Sequence, residues 1–151
     1  MPLWHVYHPP GTYTPQQKQQ LADDIAGFYT GRGLPKFYVV TLFHEIDASS
    51  FYVGGEPSRN AVRFVIEHIA RHAEDPAGRK RTGEALARLL APHTKDRGLY
   101  YEFHVDETPR DLWMTDGIAP PPSGSEAERH WVRENRPIPY GPDGERPPTA
   151  S

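Results

Sequence analysis

Cysteine is absent from the 151 residues, which removes disulfides, thiolate nucleophiles and the usual structural zinc sites together. Long apolar runs are missing as well. No stretch approaches the ~20 residues that span a bilayer, and residues 3–7 are too short for the apolar core of a secretory signal. Positive charge is scattered: the formal balance is -3 with a pI near 6.2. Arg79-Lys80-Arg81, the one basic triplet, reads as the solvated start of a helix, so neither nucleic acid nor a membrane is expected as a partner. A hydrophobic content of 36% suffices for one core and hence one domain. The expectation is a soluble, cytoplasmic, single-domain protein.

What the chain has is a regular alternation of strand and helix signals. Residues 3–7 form a short apolar strand stopped by Pro9-Pro10-Gly11, which cannot continue a ladder. Thr14 stands at an N-cap position with Pro15 at the first helical place; Leu21, Ile25 and Phe28 share a face, and Gly31 and Gly33 supply the stop. Residues 37–45 are β-branched and aromatic, and read as the second strand of a β-α-β unit. Residues 51–55 look like a hairpin arm closed by two glycines. Residues 62–71 fit a helical face at Val62, Val65, Ile66 and Ile69 and also alternate at Val62, Phe64 and Ile66; their β-branched density favours a strand. A helix from Pro76 to about Ala91 follows, with Ala85, Leu86, Leu89 and Leu90 as its stripe. In the next strand Leu99, Tyr101, Phe103 and Val105 alternate with polar residues. The fold class is α/β, a tandem β-α-β repeat with a mostly parallel core sheet.

From Pro109 the composition shifts. Eight of the 17 prolines lie at or beyond Pro120, and Ser125-Glu126-Ala127-Glu128 is a capping-box pattern before a short helix carrying Trp131. This Pro-rich arm is expected to dock its tryptophan on a neighbouring subunit. Residues 1–135 read as the domain and 136–151 as an extended or disordered tail.

Three features bear on chemistry. Proline at position two permits removal of the initiator methionine, which turns Pro2 into a free secondary amine. An α-amino group is the weakest common amine of a protein, and an apolar pocket or a nearby arginine lowers its pKa further. It can then serve as acid, base or nucleophile near neutral pH. Arg71 at a strand end is a candidate carboxylate anchor, expected near Pro2 across adjacent parallel strands. His68 and His72 beside Glu67 would suit a metal at i, i+4 on a helix, but on a strand their separation does not suit one. No cofactor and no metal are called for.

Met-Pro before an apolar strand, Thr14-Pro15, Tyr52-Val53-Gly54-Gly55, the strand ending at Arg71, and Gly117 followed by a Pro-rich link to Trp131 together resemble the cis-3-chloroacrylic acid dehalogenase branch of the tautomerase superfamily. The likeness runs from about Pro2 to Asn135. It implies a β-α-β repeat subunit, a homotrimer, an amino-terminal proline as catalytic group, and small carboxylate substrates of the 2-oxo, enol or α,β-unsaturated kind. Carried over residue by residue, the catalytic proline falls on Pro2 and the first carboxylate-binding arginine on Arg71. The second arginine falls on Glu74, unless an insertion lets Arg79 take its place. The family's histidine falls on Tyr29, its active-site tyrosine on His104, and its water-activating glutamate on Thr115, with Asp116 next to it. The resemblance thus implies a keto-enol tautomerase with catalytic Pro2, Tyr29 and His104, binding residues Arg71 and Arg79, and Thr115 and Asp116 as possible contributors. Dehalogenase or hydratase chemistry should be weak or absent without a glutamate to prepare water. The competing reading is a trimeric binding or assembly protein that keeps the fold without the chemistry.

Overall fold

The structure, a computed structural model, describes residues 1–69, 71–73, 75–142 and 144. Strand β1 (Pro2–His8) buries Pro2, Trp4, Val6 and His8 on one face and leaves Leu3, His5 and Tyr7 half-buried on the other, as period-two alternation requires. Helix α1 (Pro15–Thr30) starts on a full capping box, Thr14 Oγ1 accepting from the Gln17 amide and Gln17 Oε1 from the Thr14 amide. It buries Leu21, Ile25 and Tyr29, so the i, i+4 face is completed by Tyr29 rather than by the half-buried Phe28. The helix delivers the chain to β2 (Val40–Glu45), parallel to β1 with Leu3 beside Val40. Residues 37 and 38, expected as strand, belong instead to a single 3-10 turn, Lys36–Tyr38.

A hairpin of β3 (Tyr52–Val53) and β4 (Glu56–Pro57) leads to β5 (Ala61–Ile69), and α2 (Pro76–Leu90) then leads to β6 (Tyr100–Thr108), parallel to β5. The region that could have been helix or strand is therefore strand. Sheet order is β2-β1-β5-β6. Each half is parallel within itself, but the halves meet antiparallel, with Pro2 opposite His68 and Trp4 opposite Ile66. This corrects the expectation that Pro2 and Arg71 belong to adjacent parallel strands. A parallel neighbour needs a crossover of a dozen residues or more, usually a helix, and the connection from β2 to β5 contains only the small hairpin, so β5 starts at the end of the sheet where β2 stops.

Both long helices cover one face, where Trp4, Val6, Phe64 and Ile66 of the sheet meet Leu21, Ile25, Leu86 and Leu90 in a single apolar cluster. Among the described residues, the opposite face carries no helix. Among the described residues, no helix is long and apolar enough to cross a membrane.

The C-terminal arm folds on its own chain. After the Asp116-Gly117 turn, where both residues have positive φ as a type I′ turn needs, helix α3 (Glu126–Glu134) places Trp131 at 0% exposure between Phe37, Tyr38 and Tyr140. The Trp131 indole donates to the Ile138 carbonyl at 2.7 Å, Tyr140 Oη donates to the Ala119 carbonyl, and the Phe37 amide donates to Asn135 Oδ1. The expected docking of Trp131 on a neighbour is thereby corrected: a side chain enclosed by its own subunit has no surface left to offer a partner. Of the tail expected from 136 onward, residues 143 and 145–151 lie outside the described residues. Trp131→Ala should therefore unfold the subunit more easily, by about 3–5 kcal/mol, measured as a fall in the urea midpoint, rather than loosen an assembly while leaving the subunit intact.

Candidate active site

Beginning β1 at Pro2 places the amino end of the chain inside the subunit. The Met1 amine donates to the Ile69 carbonyl at 2.7 Å and the Ile69 amide donates back to the Met1 carbonyl at 2.9 Å. Burial pulls the Met1 amine from 8.0 to about 5, helped by the Arg71 guanidinium and opposed by Glu128. Met1 and Pro2 open on a cavity of about 810 Å³ whose walls include Tyr29, His68, Arg71 and Arg79.

Tyr29 and His68 belong to one buried chain of hydrogen bonds. The Trp4 indole, which can only donate, gives its proton to Tyr29 Oη at 3.1 Å, and Tyr29 Oη is hydrogen-bonded in turn to His68 Nε2 at 2.7 Å. Burial together with the amino terminus lowers His68 to about 4, so its ring is neutral near pH 7. The Tyr29 hydroxyl is pushed up by burial, so it stays protonated and committed to His68.

Arg71 meets a carboxylate of its own chain. Its Nη2 donates to Glu128 Oε1 at 2.9 Å and Oε2 at 3.0 Å, while Nη1 reaches the Arg32 carbonyl at 3.4 Å. Glu128 is 6% exposed and also accepts from the Gly124 amide at 2.7 Å. The capping box read from the sequence is thus half formed. Ser125 Oγ accepts from the Glu128 amide, but the glutamate side chain turns inward to the arginine. Arg79 reaches the cavity wall from the first turn of α2, together with Arg81; Arg32 also lines it and lies over the Phe28 ring at 3.6 Å. Glu74 lies outside the described residues.

The remaining expected residues are elsewhere in the chain. His104 is on the helix-free face of β6, accepting from Arg63 Nη2 at 2.8 Å through Nδ1 and donating to Asp106 Oδ2 at 3.1 Å through Nε2. It does not line the cavity, because strand alternation turns it away from Val105, which does. Thr115 pairs with Ile118 across the turn whose corners are Asp116 and Gly117, and neither Thr115 nor Asp116 reaches a cavity wall. His72 lines the cavity, and its Nδ1 lies 3.4 Å from Glu107. No group of three or more metal-ligating side chains occurs among the described residues.

A four-stranded sheet of two β-α-β halves, with the amino end of its first strand inside the main cavity, is the architecture of the tautomerase superfamily. The family model Tautomerase_3, "Putative oxalocrotonate tautomerase enzyme", matches residues 1–136, and the chain belongs to that family. Native RhCC from Rhodococcus jostii RHA1 is 43% identical over 91% of this chain and 99% of its own, with a TM-score of 0.88. A protein described as "a probable enzyme from the thermophilic fungus Aspergillus fumigatus" is 42% identical over 93% and 98%, also at 0.88. At 16% identity, N1, a member of the cis-3-chloroacrylic acid dehalogenase family, shares the fold over 88% of this chain and 97% of its own with a TM-score of 0.69. A fused 4-OT described as an asymmetric trimer shares it at 20% identity, 78% and 94% coverage and 0.60. No curated protein sequence matches the chain.

Two residues were read in sequence for other roles, His68 as a candidate metal ligand and Glu128 as a helix cap, and their places in the site were missed. His68 is the register partner of Pro2, and a polar residue continuing the inward series Phe64, Ile66 was its signal. Glu128 was masked by the capping pattern, which accounted for it without a distant partner. Both the Met1 amine and His68 are held uncharged, so the folded chain binds fewer protons than the unfolded one between about pH 4 and 8 and stability rises with pH across that interval. His68→Gln should flatten the part between about 4 and 6.5, seen by comparing denaturation midpoints at pH 5 and pH 7.

Proposed function

We propose that this chain is a keto-enol tautomerase that acts on small 2-oxo, enol or α,β-unsaturated carboxylates through Pro2, once Met1 has been removed. The observation that carries the reading is the position of the amino end, within a large cavity beside Arg71 and opposite His68. An amine there is poorly solvated and faces a guanidinium, the conditions that favour its neutral form. The neutral Pro2 nitrogen takes the proton of an enol hydroxyl and returns one to carbon, so the reaction is a balanced isomerisation with no external reactant. Arg71 and Arg79 hold the carboxylate by charge-assisted hydrogen bonds, and Tyr29 with His68 walls the far side. Addition of water, and with it dehalogenation, is expected to be weak, since Thr115 and Asp116 occupy a turn outside the cavity.

A homotrimer is part of the proposal. The helix-free face presents Leu3, His5 and Tyr7 of β1 beside the exposed Leu42 and His44 of β2, and β2 and β6 leave two edges open, a surface and edges that association would cover. The trimeric relative of the same fold supports this. One observation favours the inactive binding or assembly reading: Arg71 is already paired with Glu128.

Activity on a panel of enol and 2-oxo acids separates the two. Protein whose intact mass lacks Met1 should tautomerise at least one member, with a rate that rises with pH as Pro2 loses its proton and then levels. Pro2→Ala should lose activity in part because a primary amine remains, and protein that retains Met1 should lose nearly all of it. An inert processed protein, or full activity in Pro2→Ala, would establish the binding reading. Leu42→Glu should convert trimer to monomer in light scattering without loss of helical circular dichroism.

A further inference from the structure

Behind the main cavity lies a second, inner pocket of about 20 Å³, room for about one oxygen-sized group. Its walls include Tyr38, Arg110, Trp113 and Glu128, and it shares Met1, Leu34, Ile69 and Arg71 with the main cavity. These four residues form the partition between the two spaces. Of the four, Met1 alone can be removed after synthesis.

The inner pocket holds an unusual pair of groups. Tyr38 is 3% exposed and Trp113 is 6% exposed; their rings meet edge to face at 4.8 Å. Among the described residues, neither Tyr38 Oη nor Trp113 Nε1 has a hydrogen-bond partner. A buried donor without a partner costs about 1–3 kcal/mol, and two of them beside one pocket call for a ligand. The other two indoles are satisfied, Trp4 by Tyr29 and Trp131 by Ile138, so the orphaned indole is specific to this site. The charges fit an anion. Arg71 and Arg110 stand against the single carboxylate Glu128, which is already occupied by Arg71 and the Gly124 amide, and the Tyr38 hydroxyl lies within the field of all three.

We propose that removing Met1 joins the inner pocket to the main cavity and makes it the inner end of the carboxylate subsite, in which Tyr38 Oη and Trp113 Nε1 donate to one carboxylate oxygen of the substrate. This rests on the proposed reading of Pro2 only for the identity of the substrate. It relieves the difficulty that Arg71 shares its charge with Glu128: one carboxylate oxygen is held by two neutral donors in a net positive pocket, the other stays with Arg79 and the Arg71 N–H groups not given to Glu128, and the Arg71–Glu128 pair forms the wall without having to open. The rest of a small 2-oxo acid then extends into the main cavity past Pro2.

Pyruvate, a small 2-oxo carboxylate, is the probe, and the three indole N–H signals of the ¹⁵N-labelled protein are the readout. Titrated into processed protein, pyruvate should move the Trp113 signal downfield with saturation, because that indole alone gains a partner. The Trp4 and Trp131 signals should stay nearly in place. Protein expressed with methionine removal blocked should show no Trp113 shift. Tyr38→Phe, which keeps the ring and the packing, should raise the pyruvate Kd about tenfold, the equivalent of one charged hydrogen bond of about 1.4 kcal/mol. Three results would each overturn the subsite: binding without a Trp113 shift, an equal shift in the Met1-bearing protein, or an unchanged Kd in Tyr38→Phe. Absence of pyruvate binding at millimolar concentration would overturn it too. A Trp113 shift in a protein that tautomerises nothing keeps the subsite and removes the enzyme reading, whereas Pro2-dependent tautomerisation without the shift does the reverse.

Discussion

The antiparallel pairing of β1 with β5 holds the amino terminus where chemistry can use it. Met1 exchanges two backbone hydrogen bonds with Ile69, and the ladder continues through Pro2 and His68 to Tyr7 and Arg63. A chain end is ordinarily loose, but this one belongs to one of the two central strands of a four-stranded sheet, and its first residues share the order of the core. The same ladder sets the direction in which β5 ends, so that Arg71 emerges beside the chain's beginning. Without that seam the amine would be hydrated and titrate like any other; with it, burial and the guanidinium lower its basicity.

The C-terminal arm completes the site from behind. Helix α3 is short and polar on most of its surface, and its place is fixed by Trp131, which fills the space under the turn at residues 36–38. That anchorage brings Glu128 onto Arg71, and the turn before it brings Trp113 onto Tyr38. Residues nearly a hundred positions apart in sequence therefore build one wall. The arrangement leaves Arg71 with its charge shared with Glu128 and sets the Tyr38 and Trp113 rings beside that pair.

The two faces of the sheet have different work. The helix-covered face is a close-packed apolar cluster interrupted where His68 and Tyr29 meet and by the buried His8. The helix-free face stacks His5, Tyr7 and His44, with His5 Nδ1 2.8 Å from His44 Nε2. It continues through Arg63, Glu102, His104 and Asp106. The imidazole and charged side chains named there each have a polar partner within the chain, with the Tyr7 ring stacked among them, and His104 belongs to this face by strand alternation.

The order of strands and helices was legible because each element is written locally. Thr14-Pro15 caps α1, Asp75-Pro76 opens α2, and the alternation in residues 61–69 and 100–108 reports faces of a sheet. Pro2, Tyr29, Arg71 and Arg79 were singled out in sequence and line one cavity. What sequence alone could not decide was everything that depends on contacts across the chain: that the halves meet antiparallel, that Trp131 turns inward, that Glu128 leaves its cap for Arg71, that His104 faces away, and that His68 stands opposite Pro2. Local propensity and spacing specify an element and its buried side, since both follow from periods of 3.6 and 2 residues. Which buried side meets which is set by packing and by the paths that connections can take, and these are properties of the folded whole.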